Sequence, residues 1–374
     1  MLVASFFESH LMTQPYSEFS VLPTEPVGSI PRPDDLIAKF QQFELGRLSQ
    51  AELALAEDAA VADTIAQFEA TGSPVITDGE QRKPSFLTYP LRGLDNIAVG
   101  DFGITFADGH VRRVPRLTEG PFRYRQYAVD YLRSAKQKTS RAVKQAVITA
   151  SALSLIYPKE GLPGYPREEF ICDLLNEVER DIRQCLDAGA DSVQMDFTEA
   201  RLAIKLDPTL ALLEEFIEIN NWVLERFSAD ERRRICVHSC PGSDCDATHS
   251  AEVNYEFLLP ALFRLHAGRF CIQLSSERDR PRVLRSIRAS LEEEQLIFVG
   301  VIDPTDPNVE SAEEVRDRVL EAARFLPLDR LGTTDDCGFA PFADDRSTPR
   351  DTAFRKIKAR LDGTRMAREI LLGS

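Results

Sequence analysis

Eight short runs of apolar and β-branched residues recur along this chain of 374 residues, at 26–30, 73–78, 145–150, 191–196, 234–239, 270–275, 297–302 and 330–334. Between them lie longer stretches whose apolar residues return at helical spacing, at about 33–47, 49–71, 124–140, 167–188, 209–228, 250–266, 280–294 and 311–326, with a last one near 350–370. Alternation of this kind implies parallel strands joined by helical crossovers. Eight such units favour an α/β fold of the (β/α)8 TIM-barrel type over a doubly wound sheet. Several helix starts carry their own signals, such as Ser49 three residues before Glu52 as a capping box, and Pro33 and Pro166 near a first turn.

A barrel of this length needs only one core, so the expected organisation is an N-terminal extension over 1–22 and a single barrel domain over 23–374. The one irregular interval is 79–123, between the second and third strands. Within it, Asp108-Gly109 sits between alternating residues of 104–114, which predicts a β-hairpin overhanging the barrel mouth.

A formal charge of −15 and the lack of a basic segment argue against nucleic acid as a partner. The first eight residues have no basic region and already contain Glu8, so they do not read as a secretory signal; Met12 is an alternative start. No apolar run approaches the roughly 18 to 20 residues needed to span a bilayer. A cytoplasmic protein without membrane contact is expected. Seven cysteines, an odd number, fit reduced thiols, and Cys172, Cys185, Cys236 and Cys271 read as small buried apolar residues.

Polar residues gather where the strands end: Ser29, Glu80, Asp196, His238 with Cys240, Gln273, Asp303 and Cys337. In a strand over 234–239, alternation puts His238 and Cys240 on one face. Alone, this pair could be two ordinary strand residues. Cys337, at the end of a different strand in Asp335-Asp336-Cys337-Gly338, turns the pair into a candidate metal grip. Two thiolates and an imidazole suit zinc, and three protein ligands with one open position is a catalytic arrangement. Cys245, five residues past Cys240, is either a fourth ligand or a loop thiol, and His249 reads as packing on the next helix. Asp196 and Glu80 are either solvated loop acids or groups that bind an ammonium or hold a proton; an acid-rich mouth implies a cationic visitor.

At these residues the chain resembles the cobalamin-independent methionine synthase family, specifically its C-terminal catalytic barrel, from Val27 to about Ala367. The family's Ile-Gly-Ser-Phe-Pro appears as Val27-Gly28-Ser29-Ile30-Pro31, its Gly-Glu as Gly79-Glu80, and its Gln-Ile-Asp as Gln194-Met195-Asp196. Its His-x-Cys is His238-Ser239-Cys240 and its Asp-Cys-Gly is Asp336-Cys337-Gly338. The resemblance implies that His238, Cys240 and Cys337 ligate zinc, that Ser29 and Glu80 hold the amino-acid part of a thiol substrate, and that Asp196 binds its ammonium.

Three departures accompany the likeness. Where the family has a further zinc-ligating Glu, this chain has Gln273, which leaves Gln273 or Cys245 as candidate fourth ligand. Where the family has a catalytic His, this chain reads Asp303-Pro304-Thr305-Asp306, so that Asp303 or Asp306 would have to supply the acid through a water. No Trp follows the third strand as a stacking surface for folate, since the only Trp is Trp222.

The leading expectation is a zinc-dependent S-alkyltransferase resembling 5-methyltetrahydropteroyltriglutamate-homocysteine S-methyltransferase, with Asp303 and Asp196 as candidate catalytic residues. Its partners would be a small-molecule thiol and an alkyl donor, with homo-oligomerisation left open. A relative resembling epoxyalkane:coenzyme M transferase, which adds a thiol to a non-folate electrophile, is the alternative within the family. A zinc hydrolase, or a barrel that binds a thiol without turnover, is the alternative outside it.

Overall fold

Six of the eight expected strands pair in one parallel sheet in a computed structural model that describes residues 21–373. We label the parallel strands in chain order: β1 (Val75–Ile76), β2 (Ala142–Val143), β3 (Gln145–Ile148), β4 (Val193–Asp196), β5 (Ile235–Ser239), β6 (Arg269–Ile272), β7 (Leu296–Ile302) and β8 (Leu331–Asp335). Strands β3 to β8 lie side by side in sequence order, every pair parallel. β1 pairs with β2, and only Lys144 separates β2 from β3. Helices cover these strands, which accounts for their near-continuous burial; Ile235 to Ser239 are buried on both faces.

The first expected strand, 26–30, is not formed as a strand. Thr24 alone bridges Thr333 of β8, with the Glu25 N–H donating to Thr333 O at 3.1 Å and the Thr333 N–H to Pro23 O at 2.8 Å. Pro26 has no N–H to continue the ladder. Past it, the segment turns to the other neighbour: Ile30 N–H donates to Gly79 O at 3.0 Å and the Thr77 hydroxyl to Gly28 O at 2.7 Å. The second expected strand shortens to β1 for the same want of a ladder.

The helices follow their signals. The helix Gln50–Thr71 opens with the expected capping box and stops at Gly72, whose φ of 84° is open to glycine without strain. The continuous helix expected over 250–266 breaks into Tyr255–Phe257 and Leu259–Leu262, because Pro260 can occupy a first turn but cannot donate within a longer helix. The expected helix over 124–140 is trimmed to Ala128–Lys136.

Residues 1–20 of the expected N-terminal extension lie outside the described residues, while Leu22 is already packed in the main apolar cluster. The hairpin forms as expected, with Gly103–Thr105 antiparallel to Val111–Arg113 and Ile104 opposite Arg112. No helix among the described residues is long and apolar enough to cross a membrane.

Candidate active site

His238 near the end of β5, Cys240 just beyond it and Cys337 just beyond β8 offer three ligand atoms within 4.8 Å of one another. The two sulfurs stand 3.1 Å apart, and the Gly242 N–H donates to Cys240 Sγ at 3.3 Å. All three residues are buried, yet neither ring nitrogen of His238 has a hydrogen-bond partner among the described residues. A buried imidazole with two idle nitrogens is unfavourable unless something else engages it. Burial pushes the Cys240 thiol well up, while the hydrogen bond from Cys240, aided by the His238 ring, holds Cys337 well below the usual thiol range. Two soft sulfurs and an imidazole form a donor set that fits a borderline-soft metal ion.

Asp336 fixes this arrangement from behind. Its Oδ1 accepts from the N–H groups of Leu274 at 2.9 Å and Ser275 at 2.8 Å, and its Oδ2 from the Ser276 N–H at 2.8 Å and hydroxyl at 2.7 Å. Burial pushes this carboxyl up to about 7 against those donors. The loop after β6 is thereby tied to the residue preceding Cys337. In the sequence Asp336 was visible only as a neighbour of Cys337; the amides it gathers come from a distant loop.

A cavity of about 840 Å³ opens over the group. Ser29, Glu80, Asp196, His238 and Cys337 line its deep end, and Phe40, Phe86, Ile104, Val111 and Phe342 its outer end. Glu80 adopts a left-handed φ of 57°, is buried, and has an Oε2 that accepts no hydrogen bond and lies 3.8 Å from Lys83 Nζ. Burial pushes Glu80 up to about 7, and Asp196 adds to the shift while Lys83 opposes it. Burial also raises Asp196, against the nearby His238 and Lys83 and a 2.7 Å hydrogen bond from Gln194 Nε2. Ser29 Oγ accepts from the Ala340 N–H at 3.3 Å, and Gly338 passes so close that a Cβ there would lie 2.0 Å from that oxygen.

The hairpin roofs the outer end. Arg112 donates to Asp244 at 2.5 and 3.1 Å and to Asp344 at 2.9 Å twice, with its guanidinium 4.3 Å over the Phe342 ring. The Ala107 N–H donates to Thr248 O at 2.9 Å. These contacts pin the roof to the loops that follow β5 and β8.

Two expected site residues, Cys245 and Asp303, are not brought to the group, and a third, Gln273, is held by other partners. Gln273 is engaged at both ends, its Oε1 accepting from Arg201 Nη1 at 3.0 Å and its Nε2 donating to Ser276 Oγ at 2.5 Å. Cys245 clusters instead with Asp244 and Asp345. Asp303 folds onto its own turn, where Oδ1 accepts from the Thr305 N–H at 3.0 Å and hydroxyl at 2.8 Å; it is not among the residues lining the cavity. Conversely, Glu199 and Arg201 escaped notice in the sequence. Glu199 lines the cavity, while Arg201 anchors Gln273, Glu277 and the carbonyl of Val253. Their place directly after Asp196 was the available signal.

The family described as cobalamin-independent synthase, catalytic domain, matches residues 22–355. The chain belongs to this family. Matched relatives are named methionine synthase and homocysteine methyltransferase, and this chain is a methyltransferase of that family. The chain is 23% identical over 358 residues to a methionine synthase of Sulfolobus acidocaldarius, a match covering 95% of this chain and 94% of that one. It is 24% identical over 340 residues to the 5-methyltetrahydropteroyltriglutamate–homocysteine methyltransferase of Photobacterium profundum, covering 87% of this chain but 42% of that protein. The chain therefore spans less than half of this longer relative. In fold it is similar to a B12-independent methionine synthase from Shewanella sp. W3-18-1 solved with selenomethionine, with a TM-score of 0.72 at 19% identity over 95% of this chain and 100% of that one.

Proposed function

We propose that this cobalamin-independent synthase relative is a zinc-dependent thiol methyltransferase, moving a methyl group from a folate-type donor to homocysteine or a close analogue. One observation carries the reading: His238, Cys240 and Cys337 converge beneath a cavity while both nitrogens of the buried His238 ring remain without a hydrogen-bond partner among the described residues. Zinc held there would lower the proton affinity of a bound thiol and so make it a nucleophile near neutral pH.

The chain's own residues do the rest. Glu80 and Asp196 take the substrate ammonium, whose arrival favours their ionised forms and offsets the burial that disfavours charge. Ser29, held against Gly338, meets the amino-acid end. The apolar outer end and its hairpin receive the donor and keep water from the sulfur.

The same reading takes the parallel segments as a closed (β/α)8 barrel forming one domain over 23–374. Hydrogen bonds from the 23–30 segment to Thr333 on one side and Gly79 on the other support closure, and an apolar cluster running from Leu22 to Ala367 supports a single domain. A cytoplasmic location belongs to this proposal too, supported by seven free thiols.

The test is incubation of the zinc-loaded protein with homocysteine and methyltetrahydrofolate, with methionine read by mass spectrometry. Methionine formation is expected. Its absence beside a working control enzyme rejects the assignment. Calorimetry of homocysteine binding should show the affinity lost in His238→Ala, in step with lost zinc.

A further inference from the structure

Glu199 begins the helix Glu199–Leu206, three residues past Asp196, and faces the same cavity. It is buried, and its two oxygens differ. Oε1 receives hydrogen bonds from the Thr149 hydroxyl at 2.6 Å and the Ser151 hydroxyl at 2.5 Å. Oε2 is buried with no hydrogen-bond partner among the described residues.

The direction of those hydrogen bonds is fixed by their own neighbours. Ser151 Oγ accepts from Asn220 Nδ2 at 2.7 Å, and Thr149 Oγ1 accepts from the Ala152 N–H at 3.2 Å. Each hydroxyl accepts an N–H there with one lone pair and gives its single proton to Oε1. A proton carried by Glu199 is left with Oε2. Helix 211–224, strand β4 and the 149–154 segment thus present Asn220, Asp196, Thr149 and Ser151 around this carboxyl, of which only Asp196 is titratable near neutral pH.

We propose that Glu199 is the general acid that protonates the leaving nitrogen or oxygen of the alkyl donor, from Oε2 into the cavity. The assignment rests on the thiol-alkylation reading above and fills the role for which Asp303 is misplaced. In the step, a lone pair of the deprotonated thiol sulfur forms the new S–C bond. The C–N or C–O bond of the donor breaks, its electron pair stays on the heteroatom, and that atom takes the Oε2 proton. Glu199 is left as carboxylate and is reprotonated from solvent, which has also received the thiol proton. Burial holds this carboxyl up at about 7, against the two hydroxyls, so it keeps a proton near neutrality.

The test compares two methyl donors with homocysteine on the zinc-loaded full chain. Methyltetrahydrofolate leaves as an amine that must be protonated; trimethylsulfonium leaves as neutral dimethyl sulfide and needs no proton. Glu199→Gln should lower kcat with the first donor by about 10²- to 10⁴-fold while leaving the second, and homocysteine binding, unchanged. Equal losses with both donors, or none with either, overturn the assignment and leave thiol alkylation standing. A wild-type protein that uses only the sulfonium also overturns the assignment alone. One that methylates homocysteine from neither donor overturns both. Should Glu199→Gln not fold, Ser151→Ala decides: losing a donor to Oε1 raises the carboxyl pKa, so the alkaline limb of the pH–rate profile should move up. An unmoved limb rejects the proposal.

Discussion

Lys144 and Glu25 meet at 2.8 Å at the base of the sheet, with side chains 0% and 3% exposed. Burial alone would raise Glu25, yet Lys144 and Arg269 hold it below the usual carboxylate range. A depressed carboxyl contributes stability above its unfolded pKa of about 4.3, and that contribution fades as pH falls through the lower folded value. Lys144→Ala should cost up to about 3–5 kcal/mol at pH 7, because buried Glu25 loses its nearest cation and keeps only Arg269, 3.7 Å away. Urea unfolding measures this, and the deficit of the variant should shrink towards acid pH. A loss within experimental scatter at pH 7 would show that the ion pair is dispensable.

Gly300 has no room for a side chain, since a Cβ would lie 1.9 Å from Asp336 Oδ1. Gly300→Ala should therefore push that carboxylate off the amides it gathers, at about 1–3 kcal/mol for each buried group left unsatisfied. Because Asp336 precedes Cys337, zinc affinity should fall with stability. Thermal unfolding and zinc content, measured together, check the coupling; a variant with normal zinc affinity would separate the two.

Glu80 couples stability to binding with opposite signs. Its folded pKa is raised to about 7, so the stability linked to its protonated form is full below the unfolded value of about 4.3 and lost as pH rises through about 7. Glu80→Gln should melt higher than wild type at pH 8, with the gap closing by pH 4. The same variant should bind homocysteine more weakly at pH 8 and mercaptoacetate, which lacks the ammonium, equally well. Calorimetry with both thiols tests this, and an equal loss for the two would contradict an ammonium contact.

Arg112 is the principal tie between the hairpin and the loops carrying Asp244 and Asp344. Arg112→Ala should leave global stability nearly unchanged, yet raise amide hydrogen exchange across 103–113 by about tenfold or more, as expected for a locally opened unit. Unaltered exchange there would mean that the His110–Asp244 and Ala107–Thr248 contacts suffice to hold the roof.

The parallel sheet was legible in the sequence because both faces of its strands are buried, so β7 reads as an unbroken Leu-Ile-Phe-Val-Gly-Val-Ile run. The hairpin was legible from Asp108-Gly109, and the clustering of His238, Cys240 and Cys337 from residue chemistry at strand ends. What stayed hidden depends on contacts across long separations. Cys236 and Cys271 read as plain apolar residues, but their sulfurs lie 3.2 Å apart, and Cys271 is 3.7 Å from Lys144 Nζ. That Arg201 reaches across to the oxygen of Gln273 was likewise not visible. The lone oxygen of Glu199 depends on Asn220 and Ala152 directing two hydroxyls, which no local pattern records.

The hairpin strands Gly103–Thr105 and Val111–Arg113 pair only with each other, apart from the sheet whose ends carry His238, Cys240 and Cys337. Substitutions at Ile104 or Val111 can therefore reshape the outer cavity without disturbing any ligand-bearing strand. On the proposed function, donor choice and sulfur activation are thus separately heritable, and a lineage can change what it alkylates with while keeping how it makes sulfur react.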